Sequence, residues 1–113
     1  MFLKLLGIIM VVFVVLAATN GLKRYVRHPL VKVVAKQHRL FGALAAGFTL
    51  VHMIVALSSG ETRVSGLLAL IAVLVTAGLG AMVYKLKNKT VLMIHRISGP
   101  VAFLLIIIHI ITN

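Results

Sequence analysis

A chain of 113 residues that is 62% hydrophobic and 12% charged, with Glu61 as its single acid, lacks the polar surface that a water-soluble domain of this size needs. Its net charge of +11 sits between apolar runs, with no aromatic-rich or Gly-rich reading surface beside it, which argues against nucleic acid and for lipid head groups as the partner. With no cysteine, the chain forms no disulfide, thiolate zinc site, iron–sulfur cluster or thioether-linked prosthetic group.

The first apolar run, residues 2–19, is broken only by Lys4. Its end, Ala17-Ala18-Thr19, loosely resembles a signal-peptide cleavage site. The basic cluster just beyond it (Lys23, Arg24, Arg27) is instead typical of the flank of a stop-transfer segment, so a retained first helix is expected. Pro29 suits a first helical position, and Lys32 and Lys36 share one solvated face at i, i+4. A second helix is therefore predicted over 29–57, starting ahead of its apolar stretch. His28, in the basic loop, reads as a solvated residue. The third span, 64–84, carries no charge, and Gly78 and Gly80 within it are expected to permit close helix packing. The fourth, 90–112, holds His95, Arg96 and His109 in an Ile/Leu/Val-rich run, with a local kink expected at Pro100.

Each run is long enough for a bilayer crossing, about 20 residues of helix, and helices satisfy the backbone where no water reaches it. The sequence thus predicts one all-α domain over 1–113: an integral-membrane, up-down-up-down four-helix bundle. Lys and Arg gather between spans one and two and between spans three and four, whereas the opposite side has only Lys4 and Arg63. The positive-inside rule then puts both termini outside an inner or plasma membrane.

The second and fourth spans carry a repeat. His38-Arg39-Leu40-Phe41-Gly42 is followed by His52, and His95-Arg96-Ile97-Ser98-Gly99 by His109, so both read H-R-x-x-G-x9-H. Ala45 and Ala102 also coincide in the alignment. A spacing of 14 residues at roughly 100° per residue returns the second histidine to the same face, about 21 Å further along. Because one reversed span separates them, the second and fourth helices run the same way. His38 then meets His95 on the inner side and His52 meets His109 on the outer side. Gly42, Ala45 and Thr49 face Gly99, Ala102 and Ile106 between them, leaving a slot wide enough at the glycines for a flat ring.

Two imidazoles are too few for a closed zinc site, which takes four ligands. Haem iron brings four equatorial nitrogens and needs only two axial ligands, and full axial ligation favours electron transfer over oxygen binding. Two non-covalent haem b groups between the second and fourth helices are the expectation, with His38, His95, His52 and His109 as iron ligands. Gly42 and Gly99 give room for the ring, and Arg39 and Arg96 are candidate propionate partners, with membrane anchoring as their simpler role. Glu61 is a speculative proton acceptor, although an exposed pair with Arg63 is the plainer expectation.

At these residues the chain resembles the transmembrane dihaem cytochromes b, including cytochrome b-561-like four-helix proteins, in which paired histidines on two helices hold haems on opposite sides of the bilayer. The likeness covers 38–52, 95–109 and the four-helix frame. It implies transmembrane electron transfer, with a redox partner protein or quinone as donor or acceptor. No flavin or nicotinamide signature and no phosphate-binding Gly-rich loop accompanies it. An electron-transfer protein or oxidoreductase subunit is expected. A haem-bearing or haem-free anchor subunit of a larger redox complex is the alternative, and a small transporter using its histidines in a proton path is a third.

Overall fold

A computed structural model describes all 113 residues and is helical throughout: α1 (Phe2–Leu22), α2 (Pro29–Lys36), α3 (His38–Ser58), α4 (Val64–Leu86) and α5 (Lys89–Thr112). Four of these, α1, α3, α4 and α5, are long and apolar enough to cross a membrane. Only ten residues are buried, whereas Ile54, Val64 and Ile111 stand 65%, 77% and 77% exposed. Apolar surface on that scale would drive aggregation in water and is at home against lipid tails. The longest dimension, 41 Å, matches a bilayer with its head groups, about 40–45 Å.

The segment expected as one helix over 29–57 is two. The Gln37 N–H bonds to the Val34 carbonyl at 3.0 Å, a 3₁₀-type turn that breaks the helix there and makes His38 the first residue of α3. Pro29 starts α2 as expected. His28 is exposed as expected, and it also caps α2, its Nδ1 accepting the Leu30 N–H at 3.2 Å. The short helix buries Ala35 and lies against α1, leaving Lys32 and Lys36 exposed. The remaining ends fall within two or three residues of expectation. α5 is helical through Pro100, whose missing N–H leaves the Arg96 carbonyl without its i+4 donor.

Two connections are closed by recognisable chemistry. At the end of α3, Gly60 adopts φ +70° while its N–H bonds to the Leu57 carbonyl and the Glu61 N–H to the Ala56 carbonyl. That is a Schellman motif, which favours glycine at the left-handed position. Between α4 and α5, Lys87 takes the left-handed conformation at φ 51°, and the Asn88 side chain then caps α5 by accepting from the Thr90 and Val91 N–H groups.

The four long helices form a ring in the order α1, α3, α4, α5. Adjacent members pack, α1 on α3 and α4 on α5 most extensively, while no Cα of α3 comes within 8 Å of any Cα of α5, and the same holds for α1 and α4. The central cluster is Met10, Ala69, Val73, Ala102 and Ile106. Phe13 of α1 stacks with Phe41 and Phe48 of α3, ring centroids 6.3 and 5.4 Å apart. The buried positions repeat: Ala45 and Thr49 on α3 stand 57 residues before Ala102 and Ile106 on α5, and Met10 on α1 stands 59 before Ala69 on α4. The chain is thus a doubled helical hairpin, with α1/α3 as one copy and α4/α5 as the other.

Candidate functional site

All four histidines of the membrane-length helices sit on α3 or α5 and turn Nδ1 toward the other helix of the same hairpin. His38 Nδ1 donates to the Ala17 carbonyl of α1 at 2.7 Å, and His95 Nδ1 donates to the Thr76 carbonyl of α4 at 2.9 Å. His109 Nδ1 lies 3.1 Å from the Ser65 hydroxyl of α4. His52 Nδ1 packs beside Gly7 of α1, buried, with no hydrogen bond inside 3.5 Å but with the Leu3 carbonyl, one turn before Gly7, as the backbone acceptor in reach.

These seats exist because of glycines. A Cβ at Gly66 would stand 2.9 Å from His109 Cε1, one at Gly80 3.0 Å from His95 Cε1, and one at Gly7 3.4 Å from His52 Cε1. The carbonyl that receives His95, Thr76, lies one turn before Gly80. A side chain at i+4 tilts back over the carbonyl of residue i, so a glycine there uncovers that oxygen for a donor on the neighbouring helix. Ala17 and Gly21 repeat the arrangement 59 residues earlier, although the space beside Gly21 is open. The expected packing role for Gly78 and Gly80 therefore divides. Gly80 seats an imidazole, whereas Gly78 has nothing nearby.

A carbonyl can only accept, so the bonds of His38 and His95 fix the proton on Nδ1 and leave the Nε2 lone pair free. No Nε2 of the four histidines has a protein partner, and none is sealed from solvent-sized space. The His38 and His95 rings face each other across the gap between α3 and α5, centroids 5.8 Å apart and planes at 74°. Two imidazoles on opposite sides of one metal ion stand roughly 6 Å apart, from metal–nitrogen bonds of about 2.0 Å and the ring radii. At the other end, His52 and His109 lie within electrostatic reach of one another. Between the pairs, Gly42 and Gly99 have nothing within 4 Å of where a Cβ would point. No three of the histidines and Glu61 gather into a cluster able to hold a bare metal ion. They meet in twos.

Arg39 and Arg96 sit at the His38/His95 end, both exposed. Arg39 lies over the Tyr84 ring of α4, 3.6 Å from its centroid, which ties α3 to α4. Arg96 is within electrostatic reach of His95, as Arg63 is of His109 at the other end. Ten of the twelve Lys and Arg residues lie in the segments around the His38/His95 end, leaving Lys4 and Arg63 for the opposite one. Glu61 is exposed in the Ser58–Arg63 turn.

The seats Gly7, Gly66 and Gly80 and the acceptors Ala17, Thr76 and Ser65 all lie on the first and third spans, outside the histidine repeat. Their signal was present as a spacing, since Gly7/Gly66, Ala17/Thr76 and Gly21/Gly80 are each 59 residues apart. No protein-family model, no curated protein and no solved structure matches the chain, so the function of this site is argued from its geometry.

Proposed function

We propose that the chain carries electrons across a membrane through two non-covalent b-type haems, one between His38 and His95 and one between His52 and His109. The observation that carries this reading is the arrangement of the imidazoles. Paired across a gap that the backbones leave open, they turn Nδ1 toward a neighbouring helix and keep Nε2 unpartnered. Holding the second ring N–H on a carbonyl is how metal-ligating histidines are commonly oriented. Bound there, haem would supply a one-electron couple at each end.

The chain's own contribution is positional. α1 and α4 set the tautomers of His38 and His95, α3 and α5 set the depth of all four imidazoles, and Gly42 and Gly99 leave room beside the His38/His95 pair. Arg39 and Arg96 stand at that pair as cationic partners for propionates. In this reading α1, α3, α4 and α5 cross the bilayer alternately up and down. The basic end faces the cytoplasm and both termini lie on the opposite side. The basic end would suit an acidic redox protein, and a quinone is the membrane-soluble alternative.

The test is the reduced-minus-oxidised visible spectrum of the purified chain, with haem counted per polypeptide. Sharp low-spin bands at two haems per chain are expected, with His38→Ala and His52→Ala each removing one. A colourless protein from haem-replete cells would sink the proposal and return the histidines to a proton path or to packing.

A further inference from the structure

The two ends of the molecule treat their histidines differently, and we propose that the difference sets a direction: the iron at His38/His95 has the lower reduction potential and the iron at His52/His109 the higher, so electrons are favoured to run from the basic end to the opposite one. This rests on the haem reading above and adds an order of potentials to it.

The ligand environments carry the argument. At the basic end both imidazoles donate Nδ1–H to main-chain carbonyls, at 2.7 and 2.9 Å. Such donation raises the basicity of the ligating nitrogen, which stabilises oxidised iron and lowers its potential. At the opposite end His52 Nδ1 closes no hydrogen bond inside 3.5 Å, with the Leu3 carbonyl as its only backbone acceptor in reach, and His109 meets a hydroxyl at 3.1 Å. That hydroxyl is the weaker acceptor. It can donate as well as accept, and it already receives a contact from Thr112 Oγ1 at 3.3 Å. One end therefore has two closed bonds to carbonyls, and the other has an unclosed carbonyl contact and a hydroxyl.

Charge opposes this order but does not reverse it. Cations stabilise reduced iron, and the basic end has more of them. Arg96 at His95 is matched by Arg63 at His109, and the further arginine of the basic end, Arg39, is exposed and held over the Tyr84 ring. The other cations are exposed, and water and salt screen exposed charges beyond about 8 Å at physiological ionic strength. The Nδ1 bonds lie among the packed helices, where low dielectric strengthens them.

Ser65 is the side chain through which this can be tested, as a positioning residue acting through His109. Ser65→Asp gives His109 a carboxylate acceptor, and an acid in the first turn of α4 suits the helix dipole, so the fold is kept. The experiment is a potentiometric titration of the haem-loaded protein, with low-temperature electron paramagnetic resonance of the two ferric signals. Two one-electron waves are expected, separated by at least tenfold in equilibrium constant, about 59 mV. Ser65→Asp should lower the upper wave by a similar factor, leave the lower wave in place and alter one of the two ferric signals. Ser65→Ala should move the upper wave upward. Coincident waves in a protein with two haems per chain, or a Ser65→Asp shift confined to the lower wave, would overturn the direction and leave the haem reading standing. A chain that binds no haem overturns both.

Discussion

A methyl group at position 66 or 80 has no free place to go. In Gly66→Ala the new Cβ would meet His109 Cε1 at 2.9 Å, and in Gly80→Ala it would meet His95 Cε1 at 3.0 Å, so the ring must turn away from Ser65 or Thr76. Each variant is expected to fold and to lose one haem of two, Gly66→Ala at the His52/His109 end and Gly80→Ala at the basic end, as counted by pyridine haemochrome. Gly78→Ala is the control: its Cβ meets nothing, and replacing a helical glycine stabilises by up to about 1 kcal/mol, so both haems should remain. Gly42 and Gly99 test the opposite property. Leucine at either has a free position for its Cβ and carries its branches into the space a ring would need, so helical content should be unchanged while the basic-end haem is lost. The histidine repeat was legible in sequence because a 14-residue spacing maps directly onto helix geometry. Their seats were not, because a glycine in an apolar helix reads the same whether it faces a lipid tail or an imidazole.

Between elements, the two left-handed residues make a matched pair. Gly60 is suited to its conformation, and Gly60→Ala should cost about 1 kcal/mol. Lys87 occupies the same region with a Cβ, so Lys87→Gly should stabilise by about 1 kcal/mol, both read as shifts in thermal unfolding in detergent. Hydropathy alone placed the four spans, since each is a long apolar run closed by charge or by a turn. The break at Gln37 escaped, because Pro29 to Ser58 contains neither glycine nor proline near residue 37. The break comes instead from the turn in which α2, with its basic face, leaves the line of α3 and lies against α1.

At the scale of the molecule, the doubled hairpin explains why the histidines come in twos. Each copy supplies one histidine to each end, so neither hairpin alone completes a pair. The repeat in α3 and α5 is visible because histidine is rare in apolar runs. The matching repeat in α1 and α4 is carried by small residues and emerges only once the contacts are known. Because the gap between α3 and α5 is closed by no backbone packing, ligand binding should add to stability by mass action, about 4 kcal/mol at a thousandfold excess over the dissociation constant. Haem-loaded protein is accordingly expected to melt well above the haem-free chain, and equal melting temperatures would show that nothing spans the gap.

The ring of four helices, whose backbones pack along the sides while no diagonal pair of Cα atoms comes within 8 Å, has a mechanical consequence. Four rods whose backbones pack along their sides behave as a parallelogram, which leans toward a rhombus by sliding at its corners, with only side chains to resist it across the middle. One tie across a diagonal stops the collapse, and a second tie at another depth also stops the ends from twisting against each other. His38 with His95 and His52 with His109 sit where such ties belong, near the two ends of the one diagonal that joins α3 to α5. Spin labels on α1 and α4, across the other diagonal, should then report a broad spread of distances in the untied frame and a narrow one when both cross-braces are in place.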